Sequence, residues 1–244
     1  MLLSGKTALV TGAANRIGAE IVRTLHDNGA NLIIHYRHSK SEADSLCNSL
    51  NLLRPESAKV CQADLNSQTD RDRLVSESKA AFQNLHLLIN NASAFYATPI
   101  GSINEDNWQD LSASNFKAPL FLIQALAPEL TKTGGSIINM LDIYAANPLV
   151  GHSLYCASKA ANQSLVQSLA LELAPEVRIN GIAPGAILWP EQSDSARAQE
   201  ILNQIPLKRI GNPQVITKTV LFLIENDYIT GEVINVDGGR RLSR

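Results

Sequence analysis

The chain has 244 residues, 45% of them hydrophobic, and a formal net charge of −2. That charge excludes a basic nucleic-acid-binding surface, and the length suits one large α/β domain spanning 1–244 with a full core. Cys47, Cys61 and Cys156 are too scattered for a disulfide framework or a metal site, and no apolar run reaches membrane-spanning length, so a cytoplasmic globule with reduced thiols is expected.

The segment Met1–Lys6 is too short and too soon interrupted for a signal peptide. Apolar runs rich in β-branched residues then predict strands at Thr7–Val10, Asn31–His35, Ala58–Gln62 and Leu85–Ile89, followed by Ser136–Met140, Val177–Ile182 and Glu232–Val236. Between them, amphipathic stretches at 16–28, 40–52, 68–83, 105–131, 152–174 and 213–225 predict helices. Strands without polar alternation, separated by helices, imply a doubly wound parallel sheet covered on both faces. The mixed signals of residues 186–204 read as a lid over the substrate.

Thr11-Gly12-Ala13-Ala14-Asn15-Arg16-Ile17-Gly18 joins the first strand to the first helix. Gly12 permits a tight turn, Gly18 permits close packing of helix on strand, and the amides from Arg16 to Gly18 can hold a pyrophosphate. Arg16 replaces the middle glycine of the usual fingerprint, and its guanidinium is suited to either pyrophosphate or substrate. The second strand ends in Tyr36-Arg37-His38-Ser39, without the carboxylate that would favour a free 2′-hydroxyl, so NADPH is the expected dinucleotide. Asp64-Leu65 suits an adenine contact, with an exposed turn acid as the alternative. Asn91-Ala92-Ser93 lies at the carboxyl edge of the expected sheet, where such folds bind ligands.

Tyr155 and Lys159 lie four apart on one helical face, where an ammonium favours ionisation of a phenol. Asp142 stands thirteen residues before the tyrosine, and an ionised aspartate can only accept hydrogen bonds. It would oppose a developing alkoxide, which disfavours simple ketone reduction. Reduction of a C=N bond instead needs a proton on nitrogen, from a polarised Tyr155 or from Asp142 with a raised pKa. Phe95 offers an aromatic wall for a flat substrate.

In order and spacing, Thr11-Gly12…Gly18, Asn90-Asn91-Ala92, Asn115, Tyr155…Lys159 and Pro184-Gly185 resemble the short-chain dehydrogenase/reductase family over nearly the whole chain. The resemblance implies a seven-stranded Rossmann sheet, a homotetramer, and hydride transfer from a nicotinamide with Tyr155 as proton donor. It further implies that Lys159 holds the ribose and lowers the tyrosine pKa, that Asn115 supports a relay water, and that Pro184-Gly185 borders the cofactor. Asp142 and Arg16, with His35-Tyr36 and Asn91–Tyr96, narrow the resemblance to pteridine reductases. In that subgroup the positions of Arg16, Ser93, Phe95, Asp142 and Tyr155 face a pterin or folate. An alternation between Arg37-His38 here and the subgroup's His-Arg leaves open which residue meets the 2′-phosphate. The basic tail reads as solvated, although in the subgroup a residue at the place of Arg244 approaches a neighbouring subunit's site.

Overall fold

The computed structural model describes residues 2–189 and 195–243. Seven strands run β1 Thr7–Val10, β2 Asn31–Tyr36, β3 Ala58–Gln62, β4 Leu87–Asn90, β5 Ser136–Met140, β6 Arg178–Pro184 and β7 Val233–Val236. They form one sheet in the order β3-β2-β1-β4-β5-β6-β7, every neighbouring pair parallel. The chain reverses its winding between β3 and β4, which puts the carboxyl ends of β1 and β4 side by side at the switch point.

Both faces of the central strands are apolar because each packs under helices. Ala8, Val10, Leu32 and Ile34 point to one side, against α1 (Arg16–Asp27), α2 (Lys40–Leu53) and, later in the chain, α8 (Pro213–Glu225). The intervening Leu9 and Ile33 point to the other. There Leu74 of α3 (Gln68–Ala81) and Leu122 and Leu126 of α5 (Ala118–Thr133) join Val166 of α6 (Ser153–Leu173). Each such fully buried leucine, isoleucine or valine contributes about 1.5–3 kcal/mol.

The stretch expected as one helix over 105–131 is three elements: α4 (Glu105–Ser112), a π-helical turn at Ala113–Lys117, and α5. A π turn is a rare, single-turn departure, so a pattern read over the whole stretch does not resolve it. A helix also occupies Ser195–Asn203 (α7), within the stretch expected as a lid. The centre of that stretch, 190–194, lies outside the described residues. The tail is not frayed: Arg240–Leu242 forms a helical turn, with Asp237 accepting from the amides of Gly239 and Arg241. Arg244 lies outside the described residues. Cys47, Cys61 and Cys156 are buried free thiols. Among the described residues no helix is long and apolar enough to cross a membrane.

Candidate active site

The glycine turn after β1 is sterically fixed. Gly12 has φ +60°, and a Cβ there would meet Ala92 Cα at 2.8 Å. A Cβ on Gly18 would strike the Gly12 carbonyl and approach Asn91 Nδ2 to 2.7 Å. The Asn91 amide donates to the carbonyls of Thr11 and Gly12, both at 2.9 Å, and the Thr11 hydroxyl accepts from the amides of Asn91 and Ala92. Asn91 thus ties the end of β4 to the turn.

His35 supplies a second tie. Its Nδ1 accepts from the Gly12 amide at 3.0 Å, which fixes the proton on Nε2, and Nε2 donates to the Ala63 carbonyl at 3.0 Å. Burial pushes its pKa down to about 4, so the ring is neutral.

Helix α1 begins without a side-chain cap and without an acid in its first turn. Its first amides and the positive end of its dipole are therefore available to an anion. Arg16 opens the helix with φ +54°, a left-handed conformation that costs an L-residue roughly 1–2 kcal/mol. Its side chain is exposed, and so is that of Asn15. Uncapped amides, a cradle that any Cβ would fill and a strained arginine together fit a dinucleotide pyrophosphate. At the end of β2, Ser39 accepts a hydrogen bond from Asn15 at 3.0 Å, while Tyr36 is buried and His38 is exposed. Arg37 turns away from Ser39 towards Asp64 (3.0 Å) and Asp110 of α4 (3.5 Å). Asp64 also accepts from the Asn66 amide, and Leu65 is buried. Gly185, next to Pro184 at the end of β6, sits so close to Asp237 that a Cβ would approach its Cβ to 2.7 Å.

The reacting end lies beyond β5. Asp142 follows that strand and starts a short helical turn, its Oδ1 accepting from the Tyr144 amide at 2.9 Å. Its Oδ2 accepts from the Tyr155 hydroxyl at 2.7 Å. Burial raises the Asp142 pKa against the lowering effects of the Tyr144 amide, the Tyr155 hydroxyl, Lys159 and Arg240. Tyr155, on the first turn of α6, is pushed above its ordinary value by burial and then by the Asp142 charge and hydrogen bond. The expectation of a phenol tuned towards ionisation is thereby corrected: the group nearest its hydroxyl is a carboxylate. Lys159 is fully buried, donates to the Met140 carbonyl at 2.9 Å, and has its pKa lowered by desolvation to about 8. Its ammonium lies 5.9 Å from the centre of the Tyr155 ring.

Asn115 sits in the π turn, and its side chain accepts from Ser93 Oγ and the Ala94 amide and donates to the Ala94 carbonyl and Ser158 Oγ. Its carbonyl accepts from Asn162, whose own amide oxygen accepts from Asn139, which in turn accepts from Asn90. This buried line runs from β4 through β5 and α6 to the π turn. Phe95 is 55% exposed, meets the Tyr155 ring edge-on at 4.7 Å and stacks on His152 at 4.9 Å. His35, Tyr144, His152 and Arg240 carry no role in the sequence reading. The first and second flank recognised motifs; the other two are distant in sequence from the groups they meet.

The family model described as enoyl-(acyl carrier protein) reductase matches residues 12–241. The chain belongs to the short-chain dehydrogenase/reductase family. It is 35% identical to pteridine reductase 1 of Leishmania tarentolae, over 97% of this chain and 96% of that protein. It is also 34% identical to the 3-oxoacyl-[acyl-carrier-protein] reductase of Staphylococcus epidermidis, over 96% and 98% respectively. An uncharacterized oxidoreductase of Bacillus subtilis matches at 32%, over 96% and 98%. As a short-chain dehydrogenase/reductase, the protein is an oxidoreductase that works with a nicotinamide cofactor, and its seven parallel strands are that family's sheet.

Proposed function

We propose that this reductase uses NADPH to reduce a dihydropterin or dihydrofolate to its tetrahydro form. The observation that carries the reading is the inward-facing Asp142 carboxylate on the Tyr155 hydroxyl, beside the exposed Phe95 ring. Similarity to a pteridine reductase over nearly the whole chain supports it.

NADPH, when bound, would supply the hydride for the ring carbon of the C=N bond. The uncapped turn at Gly12, Arg16, Ile17 and Gly18 would hold the pyrophosphate, with Tyr36, Asp64 and Leu65 around the adenosine. Arg37, His38 and Ser39 would border the 2′-phosphate, and because Arg37 is engaged by two carboxylates, Ser39 with His38 would be its partner. Asn91, Ala92, Ser93, Pro184, Gly185 and Lys159 would border the nicotinamide half. Arg16, Ser93 and Phe95 would hold the heterocycle.

Tyr155 delivers a proton to the ring nitrogen. A phenolate left beside an ionised, buried Asp142 would be strongly disfavoured. Asp142 is therefore assigned as the group that passes a proton to Tyr155 Oη as that oxygen releases its own, and burial, which raises the Asp142 pKa, acts in that direction. The product of the relay is a carboxylate accepting from the phenol across the same 2.7 Å contact. Lys159 keeps a positive charge near the pair, and Asn115 anchors Ser93 and the following strand-end backbone. The working unit is proposed to be a cytoplasmic homotetramer of this one domain.

The test follows NADPH absorbance with dihydrobiopterin, dihydrofolate and an acetoacetyl thioester added in parallel. Oxidation with either pterin is expected. Oxidation with the thioester alone would make the protein a carbonyl reductase instead, and cofactor binding without turnover would make it a nucleotide sensor.

A further inference from the structure

Arg240 lies on the turn after β7, far in sequence from Asp142, yet it stands at the same site. Its guanidinium carbon is 5.7 Å from the centre of the Tyr144 ring, a cation–π contact. Its Nε and Nη2 both donate to the Gln204 side-chain oxygen, at 3.2 and 2.9 Å. Gln204 follows directly on α7. The turn carrying Arg240 is braced on both sides. The Leu207 amide donates to the Gly238 carbonyl, and Cβ atoms on Gly238 and Gly239 would run into Ile205 and Pro206. On the other side Asn147, just past the Asp142 turn, donates to the Arg241 carbonyl at 3.2 Å. The C-terminal turn is thus wedged between the exit of α7 and the loop that carries the proton-bearing carboxylate.

We propose, on the assignment of Asp142 as proton source made above, that Arg240 is a positioning residue. Seated over Tyr144 by Gln204, it sets the charge that Asp142 faces and so couples the seating of α7 to proton supply at Tyr155. The ionisable groups around Asp142 are Tyr144 on its own turn, Tyr155 and Lys159 on α6, and Arg240 on the C-terminal turn; Cys156 adjoins the two tyrosines. Of the two cations, Lys159 is fixed in the interior by the Met140 carbonyl, whereas Arg240 is held by Gln204 at the exit of α7. A guanidinium stays charged throughout the working range, so its influence depends on position alone.

The experiment titrates the Asp142 carboxyl by ¹³C NMR in the full-length protein without substrate, with the resonance assigned from an Asp142→Asn spectrum. Arg240→Met should move the midpoint upward, because a cation that favoured the carboxylate is gone. Arg240→Lys should restore most of the wild-type midpoint. Gln204→Leu should shift it in the same direction as Arg240→Met but less, and the double variant no further than Arg240→Met alone. Arg240→Gln carries the same expectation should the methionine variant fail to fold. In turnover, the basic limb of the kcat profile should follow the midpoint while KM for the substrate holds. A wild-type midpoint in both Arg240→Met and Arg240→Gln would overturn the proposal, as would Gln204 and Arg240 effects that simply add. Failure of the pterin assay would remove the substrate assignment and leave this titration readable, since it needs no turnover.

Discussion

Protonating His35 should unfasten the cofactor turn, and the structure gives both the pH window and the size of the effect. The ring accepts from the Gly12 amide through Nδ1, so a proton there would set two donors against each other. Burial holds the folded-state pKa at about 4 against an ordinary 6.5, a difference equivalent to about 3 kcal/mol. The neutral ring's contribution is whole above pH 6.5, shrinks as pH falls from 6.5 to 4, and is lost below that, since the unfolded chain takes up the proton first. His35→Leu removes the titrating group and leaves the Gly12 amide and Ala63 carbonyl unpaired. Denaturant unfolding of both proteins between pH 7 and pH 4 should show the stability gap narrowing by about 3 kcal/mol, because His26 and His86 contribute alike to each. A His35 ring proton that titrates near 6.5 by NMR, or a gap that does not change with pH, would refute the reasoning.

Asp142→Ser should lower pterin turnover at least about tenfold while leaving the NADPH dissociation constant nearly unchanged, as separate kinetic and binding titrations would show. Arg16→Gly relieves the left-handed strain at φ +54° and should raise the melting temperature by about 2–4 °C, yet weaken NADPH about tenfold; a variant both less stable and equally tight would contradict this. Lys159 has a folded pKa of about 8, below its unfolded value of 10.5, so its own contribution to stability should rise by about 3 kcal/mol as pH climbs between those values. In pH-dependent denaturation the stability of wild type relative to Lys159→Met should climb by that amount.

Local signals carried the architecture well. The central strands were readable because a strand buried on both faces is largely apolar, as at Leu87–Ile89, and the partly exposed edge strands β3 and β7 were readable from their β-branched residues and spacing. The glycine turn and the Tyr155–Lys159 face were readable because their chemistry depends on short spacings. What escaped depends on distance or on hidden geometry. Arg37 invited assignment to a phosphate, but its partner Asp110 arrives from α4, beyond any local pattern. The π turn at Asn115 spans only Ala113–Lys117, too short for an amphipathic pattern to announce. The phenol's direction of shift was misjudged because the lysine is near in sequence, whereas the carboxylate touches the hydroxyl itself. Arg240 looked like part of a solvated tail, since nothing in a run of arginines announces a contact with Gln204 or Tyr144.

Carboxamides hold the same charge from acid to alkali. The line Asn90, Asn139, Asn162 and the Asn115 carbonyl therefore gives the reaction centre a frame built from groups that acid and base leave alone. Protons can come and go at Asp142, Tyr155 and Lys159 without slackening the ties that join β4, β5 and α6 to the π turn.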